Sequence, residues 1–156
     1  SAERMTPTRP SIMSDGATMS QPAAACTAAC RATAASSRAA AASGAPVTDW
    51  SLYDTFYTER YMDTPEDNAD GYDKSSVFYH LDRLDGDLPP LLLMHGMADD
   101  NVTFDNSTRL MAKMQEKGIV FDLMTYPGQR HGIRGQALQT HLMKTRMAFL
   151  NRELKD

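Results

Sequence analysis

The fold of this chain is decided by Leu91-Leu92-Leu93-Met94-His95-Gly96-Met97-Ala98-Asp99-Asp100-Asn101-Val102, where an uninterrupted apolar run ends in a turn that carries two acids. An apolar run without alternation predicts a strand that is covered on both faces, as in a parallel sheet. Downstream, the pattern predicts an amphipathic helix over 103–117, a second strand over 119–126 and a last helix over 136–153. This order predicts an α/β fold, a parallel sheet with flanking helices.

Polar residues follow both predicted strands. Asp99, Asp100 and Asn101 come directly after the first, and His131 lies in the loop after the second. Because the carboxyl ends of parallel strands meet at one sheet edge, we expect the acids and the imidazole to be neighbours. A carboxylate there can accept the Nδ1–H of a histidine and stabilise the imidazolium. The alternative is a solvated turn and a surface histidine, and spacing does not tell which aspartate faces His131.

An acid followed by a histidine is the order of the last two triad members in an α/β-hydrolase. The first member, a serine in a G-x-S-x-G elbow, should precede them, and the sequence contains no such elbow. Ser20 stands nearest to the expected place, but it has no flanking glycines and Pro22 follows it. The elbow is strained and needs small neighbours. We therefore predict that Ser20 is not a nucleophile.

Composition and charge exclude several function classes. The chain has 156 residues and a net charge of −4, so we expect one domain and no binding to nucleic acid. No apolar run reaches the roughly 18 residues that span a membrane, and no signal peptide is visible. Cys26 and Cys30 are too few for a disulfide framework or a zinc site, so the compartment stays open. The chain begins with Ser1, and we expect it to be a fragment of a longer protein.

Composition changes near Gly44. Residues 1–44 are rich in alanine and contain no Leu, Val, Phe, Tyr or Trp. Alanine favours helix but buries too little surface to offset chain entropy. We interpret 1–44 as a low-complexity segment, either disordered or marginally helical, and 45–156 as the globular part.

Two further features allow more than one interpretation. Tyr53 and Tyr57 are four residues apart, with Trp50 one turn earlier, which fits either an aromatic core stripe or a ligand pocket. His95 ends the buried strand, and we interpret it as a core histidine with a backbone partner.

Specific strings mark the globular part: Ala45-Pro46-Val47-Thr48-Asp49-Trp50, Tyr57-Thr58-Glu59-Arg60-Tyr61-Met62, His95-Gly96-Met97-Ala98-Asp99-Asp100-Asn101-Val102 and His131-Gly132. With these strings, residues 45–156 resemble the C-terminal part of the catalytic domain of dipeptidyl peptidase IV-like serine peptidases, in the prolyl oligopeptidase family. The resemblance implies a partial α/β-hydrolase fold. It also implies release of N-terminal X-Pro or X-Ala dipeptides through an acyl-enzyme, with no metal or organic cofactor.

The resemblance also implies roles for individual residues. Asp99 matches the triad acid, His131 matches the general base, and Asn101 matches a residue that binds a substrate carbonyl. The walls of the pocket for the penultimate proline or alanine are matched by Val47, Trp50, Tyr53, Tyr57 and Val102. Relatives pair through their hydrolase domains, which makes a homodimer of the full-length parent an option.

The chain departs from the family in two ways. The family has Gly-Trp-Ser-Tyr-Gly-Gly where this chain has Asp15-Gly16-Ala17-Thr18 and its neighbours. The codons GGA TGG AGC TAC, followed by G, encode Gly-Trp-Ser-Tyr; read one base later they encode Asp-Gly-Ala-Thr. We therefore hypothesise that 1–44 is translated out of frame. The coding DNA tests this hypothesis. If no single-base change in the upstream DNA restores the Gly-Trp-Ser-Tyr-Gly-Gly elbow, the hypothesis is wrong. The family's β-propeller, which clamps the substrate amine, is also missing, and we expect no turnover by this chain.

Two other functions stay open. One is another α/β-hydrolase, such as an acylaminoacyl peptidase or an esterase, against which the Tyr53 and Tyr57 strings argue. The other is a non-catalytic interaction module, which would have no need of an acid and a histidine in this order.

Overall fold

The computed structural model describes residues 39–155, and its centre is a parallel sheet. Three strands lie in the order β1 (Ala41–Gly44), β2 (Leu91–Gly96) and β3 (Asp122–Tyr126). In this register Leu93 pairs with Ser43 on one side and with Leu123 on the other. The central strand is buried almost throughout, which explains its continuous apolar sequence. The predicted parallel sheet is confirmed.

Helices connect the strands. Between β1 and β2 lie a 3₁₀ turn and three short helices: Trp50–Leu52, α1 (Thr55–Met62), α2 (Ala69–Ser75) and α3 (Val77–Asp82). Helix α4 (Asp105–Glu116) joins β2 to β3, and α5 (Gln136–Glu153) follows β3. Asp54 caps α1 by accepting from the amide of Tyr57, as the preference of aspartate for this position predicts.

Two apolar clusters cover the two faces of the sheet. On one face, Leu93 packs with residues of α3 and α4: Val77, Leu81, Leu110 and Met114. On the other face, Leu92 and Met94 pack with Phe149 of α5. The alternating side chains of one strand thus contribute to both clusters, which produces three layers and confirms the α/β class.

The structure differs from the sequence-based expectation at β1. The last four residues of the alanine-rich segment, Ala41–Gly44, form a strand rather than a disordered or helical end. Alanine and glycine have little intrinsic strand preference, so pairing with Leu91 to Met94 decides the conformation here. The predictions on residues 1–38, including those for Ser20, Cys26 and Cys30, lie outside the described residues.

Strand β3 also begins later than predicted, at Asp122 instead of residue 119. Ile119 and Phe121 nevertheless pack against the cluster that contains Leu93, so their apolar character serves the core without strand pairing. Within residues 39–155, no helix is both long enough and apolar enough to cross a bilayer.

Candidate active site

The carboxylate of Asp99 is the centre of the site, at the carboxyl end of β2. Its side chain is fully buried. Oδ1 accepts from the backbone amides of Asn101 at 3.0 Å and Val102 at 3.1 Å. These bonds fold the turn around the carboxylate and satisfy one oxygen of a buried charge, which would otherwise be costly.

The imidazole of His131 binds the other oxygen. Its Nδ1 lies 3.0 Å from Oδ2 of Asp99, so the two groups predicted to be neighbours are in hydrogen-bond contact. The imidazole is 47 % exposed, and no described residue contacts its Nε2 by a hydrogen bond. Asp100 points away and pairs with Arg130 at 2.7 Å. Tertiary structure thus selects Asp99 as the partner of His131.

Gly96 lets the two loops meet. A Cβ atom at this position would lie 2.4 Å from the carbonyl oxygens of both Gln129 and Arg130. The amide of Ala98 donates to the carbonyl oxygen of Gln129 at 2.9 Å, and that of Met97 donates to Tyr126 at 3.0 Å. The loop that carries His131 is therefore attached to the loop that carries Asp99 through backbone contacts that only glycine permits.

A second histidine lies behind the carboxylate. His95 is fully buried, and its Nε2 lies 2.9 Å from the carbonyl oxygen of Val102, the predicted kind of backbone partner. The same Nε2 is 3.1 Å from Oδ2 of Asp99, and Nδ1 is 2.7 Å from Oγ of Ser107. His95 is thus a core residue that also contacts the site.

An aromatic cluster of Trp50, Tyr53 and Tyr57 lies next to the turn that contains Asn101. Trp50 stacks on Tyr57 with ring centroids 6.5 Å apart, and Tyr53 meets both rings edge-on at 5.8 and 5.7 Å. Tyr57 remains 41 % exposed, so the rings do not form a closed core. They offer flat apolar faces to a ligand.

Tyr53 connects this cluster to the acid turn. Its hydroxyl donates to Oδ1 of Asn101 at 2.7 Å. This bond uses Asn101 as an acceptor and leaves its Nδ2 amide hydrogens, which are donors, available to an incoming acceptor. Hydrogen bonds thus connect the aromatic cluster, through Asn101, to the Asp99–His131 pair.

The two valines predicted as pocket walls have different surroundings. The side chain of Val102 is buried at 4 % exposure. Val47 lines a cavity of about 320 Å³ between β1 and the helices α3 and α4, together with Leu81 and Met114. Hydrogen bonds and ring contacts therefore connect seven of the eight predicted site residues, Val102 through its backbone amide, and the roles of Val47 and Val102 as pocket walls stay predictions.

The loop that carries Trp50 is fixed to the acid turn by Thr48 and Asn106, both fully buried. Oδ1 of Asn106 accepts from the backbone amide of Thr48 at 3.0 Å and from its hydroxyl at 3.2 Å. The Asn106 amide in turn donates to the carbonyl oxygen of Thr103 at 3.3 Å. This network joins segments that are 58 residues apart in the sequence.

Sequence reasoning missed Ser107, Asn106 and the contact of His95 with Asp99. One signal was present: positions 106 and 107 share the helix face of Leu110 and Met114, so two polar residues stand on the buried side of α4. Polar residues on a buried face need partners, and such partners are found at the site.

A small cavity borders the exposed imidazole. It has a volume of about 210 Å³ and is lined by His131, Gly44, Ala45 and residues of β2 and α5. Within the described residues, no cluster of three or more His, Cys, Asp or Glu side chains could hold a metal ion. The arrangement can take up a proton at Nε2 of His131 and stabilise the resulting imidazolium with a buried carboxylate.

Comparisons with known proteins identify the family of this chain. The model of the prolyl oligopeptidase family matches residues 25–156, a region that begins inside the alanine-rich segment. Dipeptidyl peptidase 8 of Mus musculus is 41 % identical over 105 residues, which cover 65 % of this chain and 12 % of that protein. Dipeptidyl aminopeptidase B of Saccharomyces cerevisiae is 46 % identical over 93 residues, covering 59 % of this chain and 11 % of the relative.

A solved structure shares the fold. Dipeptidyl peptidase 4 of Porphyromonas gingivalis superposes with a TM-score of 0.69 at 37 % identity, over 74 % of this chain and 16 % of that chain. The chain thus spans about an eighth of the length of the curated relatives named above.

Proposed function

Because this chain belongs to the prolyl oligopeptidase family, we propose that residues 45–156 supply the acid, the base and the substrate pocket of a serine dipeptidyl peptidase. The observation that carries this proposal is the bond between the buried carboxylate of Asp99 and the half-exposed imidazole of His131. A solvated turn and an unrelated surface histidine would not share this bond.

The proposed chemistry is acyl transfer. Nε2 of His131 takes the proton of a serine hydroxyl while the serine oxygen attacks the scissile carbonyl carbon. The imidazolium then gives this proton to the leaving amine as the C–N bond breaks, which leaves an acyl-enzyme. Asp99 keeps the proton of His131 on Nδ1 and stabilises the imidazolium. Water hydrolyses the acyl-enzyme through the same proton transfers in reverse roles.

The proposed pocket takes the residue before the scissile bond. A proline ring is compact and apolar, and it can pack on the flat faces of Trp50 and Tyr57. The free amide hydrogens of Asn101 can donate to a backbone carbonyl of the substrate. Together they favour a short peptide with proline or alanine at its second position.

We propose that this chain alone does not turn over substrate. Its sequence has no serine in a G-x-S-x-G elbow, and it corresponds to about an eighth of the named relatives. In this proposal the nucleophile and the group that binds the substrate amine come from parts of the family's catalytic unit that this sequence does not match.

Peptide binding to the chain tests the pocket. We expect the tripeptide Gly-Pro-Ala to shift the indole N–H of Trp50 and the side-chain amide of Asn101 in ¹H–¹⁵N NMR spectra. Gly-Leu-Ala should bind about tenfold more weakly, the order of magnitude that one well-matched apolar group contributes. Tyr57→Ala should abolish the difference, whereas Phe56→Ala, a change at the neighbouring exposed ring, should keep it. If both peptides bound equally well, or if an acetylated alanine ester bound as well as Gly-Pro-Ala, the result would favour another α/β-hydrolase, such as an acylaminoacyl peptidase or an esterase.

Turnover is tested separately. We expect no release of nitroaniline from glycyl-prolyl-p-nitroanilide above the background rate. Hydrolysis that a serine-directed phosphonate blocks would show that a nucleophile is present after all.

A further inference from the structure

We infer that His95 is a positioning residue for the Asp99–His131 pair; this inference deepens the proposed function and rests on it. The proposed chemistry uses one imidazole, yet a second one contacts the same carboxylate oxygen. Nε2 of His95 lies 3.1 Å from Oδ2 of Asp99, and Nδ1 of His131 lies 3.0 Å from that atom.

The proton position on His95 follows from its neighbours. The carbonyl oxygen of Val102, 2.9 Å from Nε2, can only accept a hydrogen bond. Nε2 therefore carries the proton, which it shares between this carbonyl and Oδ2 of Asp99. In the neutral ring Nδ1 is then an acceptor, and the hydroxyl of Ser107 donates to it at 2.7 Å. Because both ring nitrogens have a partner, the ring cannot flip without losing hydrogen bonds.

The carboxylate of Asp99 is consequently held by four donors. Two backbone amides bind Oδ1, and two imidazoles bind Oδ2. Without His95, His131 would be the sole donor to Oδ2, and His131 is itself half exposed. The rigid contact is therefore the one from inside the core, and it holds Oδ2 where His131 needs an acceptor for its Nδ1–H.

If His95 only filled space, it would not need its hydrogen bonds. An apolar residue of similar size could occupy the volume beside Phe104, whose ring meets the imidazole edge-on at 5.3 Å. A purely structural histidine would also be satisfied by Val102 and Ser107 alone. The additional approach to Oδ2, with both side chains completely buried, is the feature that a positioning role explains.

The experiment reads histidine tautomers in the full chain by ¹⁵N NMR, at a pH where the imidazoles are neutral. In the unmodified chain we expect His95 as the Nε2–H tautomer and His131 as the Nδ1–H tautomer. A His95 that carries its proton on Nδ1 cannot donate to Asp99 and would overturn the inference. This measurement requires no variant and therefore does not depend on whether a substituted chain folds.

Two substitutions separate positioning from packing. His95→Leu removes the donor, and His95→Gln keeps an N–H donor. For His131, we expect the ratio of Nδ1–H to Nε2–H tautomer to fall about threefold to tenfold in the leucine variant, the factor that one ordinary hydrogen bond represents. The glutamine variant should keep the original ratio, and so should Ser76→Ala, a control that removes a buried hydroxyl at the N-terminus of α3.

The outcomes are distinct. Unchanged ratios in both variants would show that the donor of His95 is not needed. An equal fall in both would show that the tautomer of His131 responds to the packing of the ring and not to its N–H donor. Either result would overturn the inference. The tautomer ratio is independent of peptide binding and turnover. A failed peptide titration would therefore refute the proposed function and leave this measurement untouched.

Discussion

Gly96 and Gln129 approach so closely that a methyl group on Gly96 would lie 2.4 Å from the carbonyl oxygen of Gln129. This contact lies between the turn that carries Asp99 and the loop that carries His131. The hydrogen bond between Asp99 and His131 therefore also depends on Gly96, because any side chain at this position would separate the two loops.

Gly96→Ala should force the two loops apart, because the contacted atoms belong to the backbone and cannot rotate away. We expect a loss of at least about 2 kcal/mol in the free energy of unfolding, since overpacking of this kind is destabilising. Urea denaturation followed by Trp50 fluorescence measures it. Gly132→Ala is the control, because a Cβ there meets no atom within 4 Å. Equal stability of both variants would contradict the proposed role of the contact.

Asn106→Ala should loosen the loop that carries Trp50. The substitution removes the acceptor of the buried Thr48 amide, and an unsatisfied buried donor costs about 1–3 kcal/mol. Urea denaturation should show this loss, and the Trp50 indole resonance should move. Asn151→Ala, at an exposed position of α5, should change neither quantity. If the indole resonance stayed in place, the network would not position the aromatic cluster.

Phe149→Ala tests the packing of α5 on the sheet. Phe149 is 3 % exposed and packs with Leu92 and Met94, and such truncations cost about 3–5 kcal/mol. Phe56→Ala, at a position 79 % exposed, should change stability by less than about 0.5 kcal/mol. Thermal unfolding measured by circular dichroism compares the two phenylalanines directly. Similar melting temperatures would mean that α5 adds little to the core.

Asp82 makes stability depend on pH. Hydrogen bonds from Lys113, and then from Lys117, lower the pKa of its carboxyl group below the ordinary value. A group whose pKa is lower in the folded state stabilises above the unfolded pKa, about 3.9 for aspartate, and loses this contribution as the pH falls through the folded value. Asp82→Asn should therefore lower the urea midpoint at neutral pH, and the difference should vanish in acid.

The control for this measurement is Asp85→Asn, at an exposed position. No ion pair of Asp85 occurs among residues 39–155. Its urea midpoint should follow that of the unmodified chain across the same pH range. A difference between Asp82→Asn and the unmodified chain that persisted unchanged in acid would show that the carboxyl charge is not responsible.

Local sequence pattern was sufficient for most of the elements. The apolar run before Gly96 predicted the buried strand, and the periodicity over 136–153 predicted α5 with the bounds that the structure has. Composition did not predict the strand Ala41–Gly44, because it reflects only the intrinsic preference of the residues. The pairing of these residues with the neighbouring strand β2 decides their conformation. Strand pairing is a property of two segments, and neither segment encodes it alone.

The candidate site divides in the same way. The sequence by itself determined that an acid and an imidazole follow neighbouring parallel strands, because strand order and residue type are properties of the chain. Only the tertiary structure decided that Asp99 rather than Asp100 meets His131, that His95 shares the same oxygen, and that Val47 lines a cavity beside β1. Hydrogen-bond partners are chosen by distances of about 3 Å, and segments far apart in sequence acquire such distances only when the core packs.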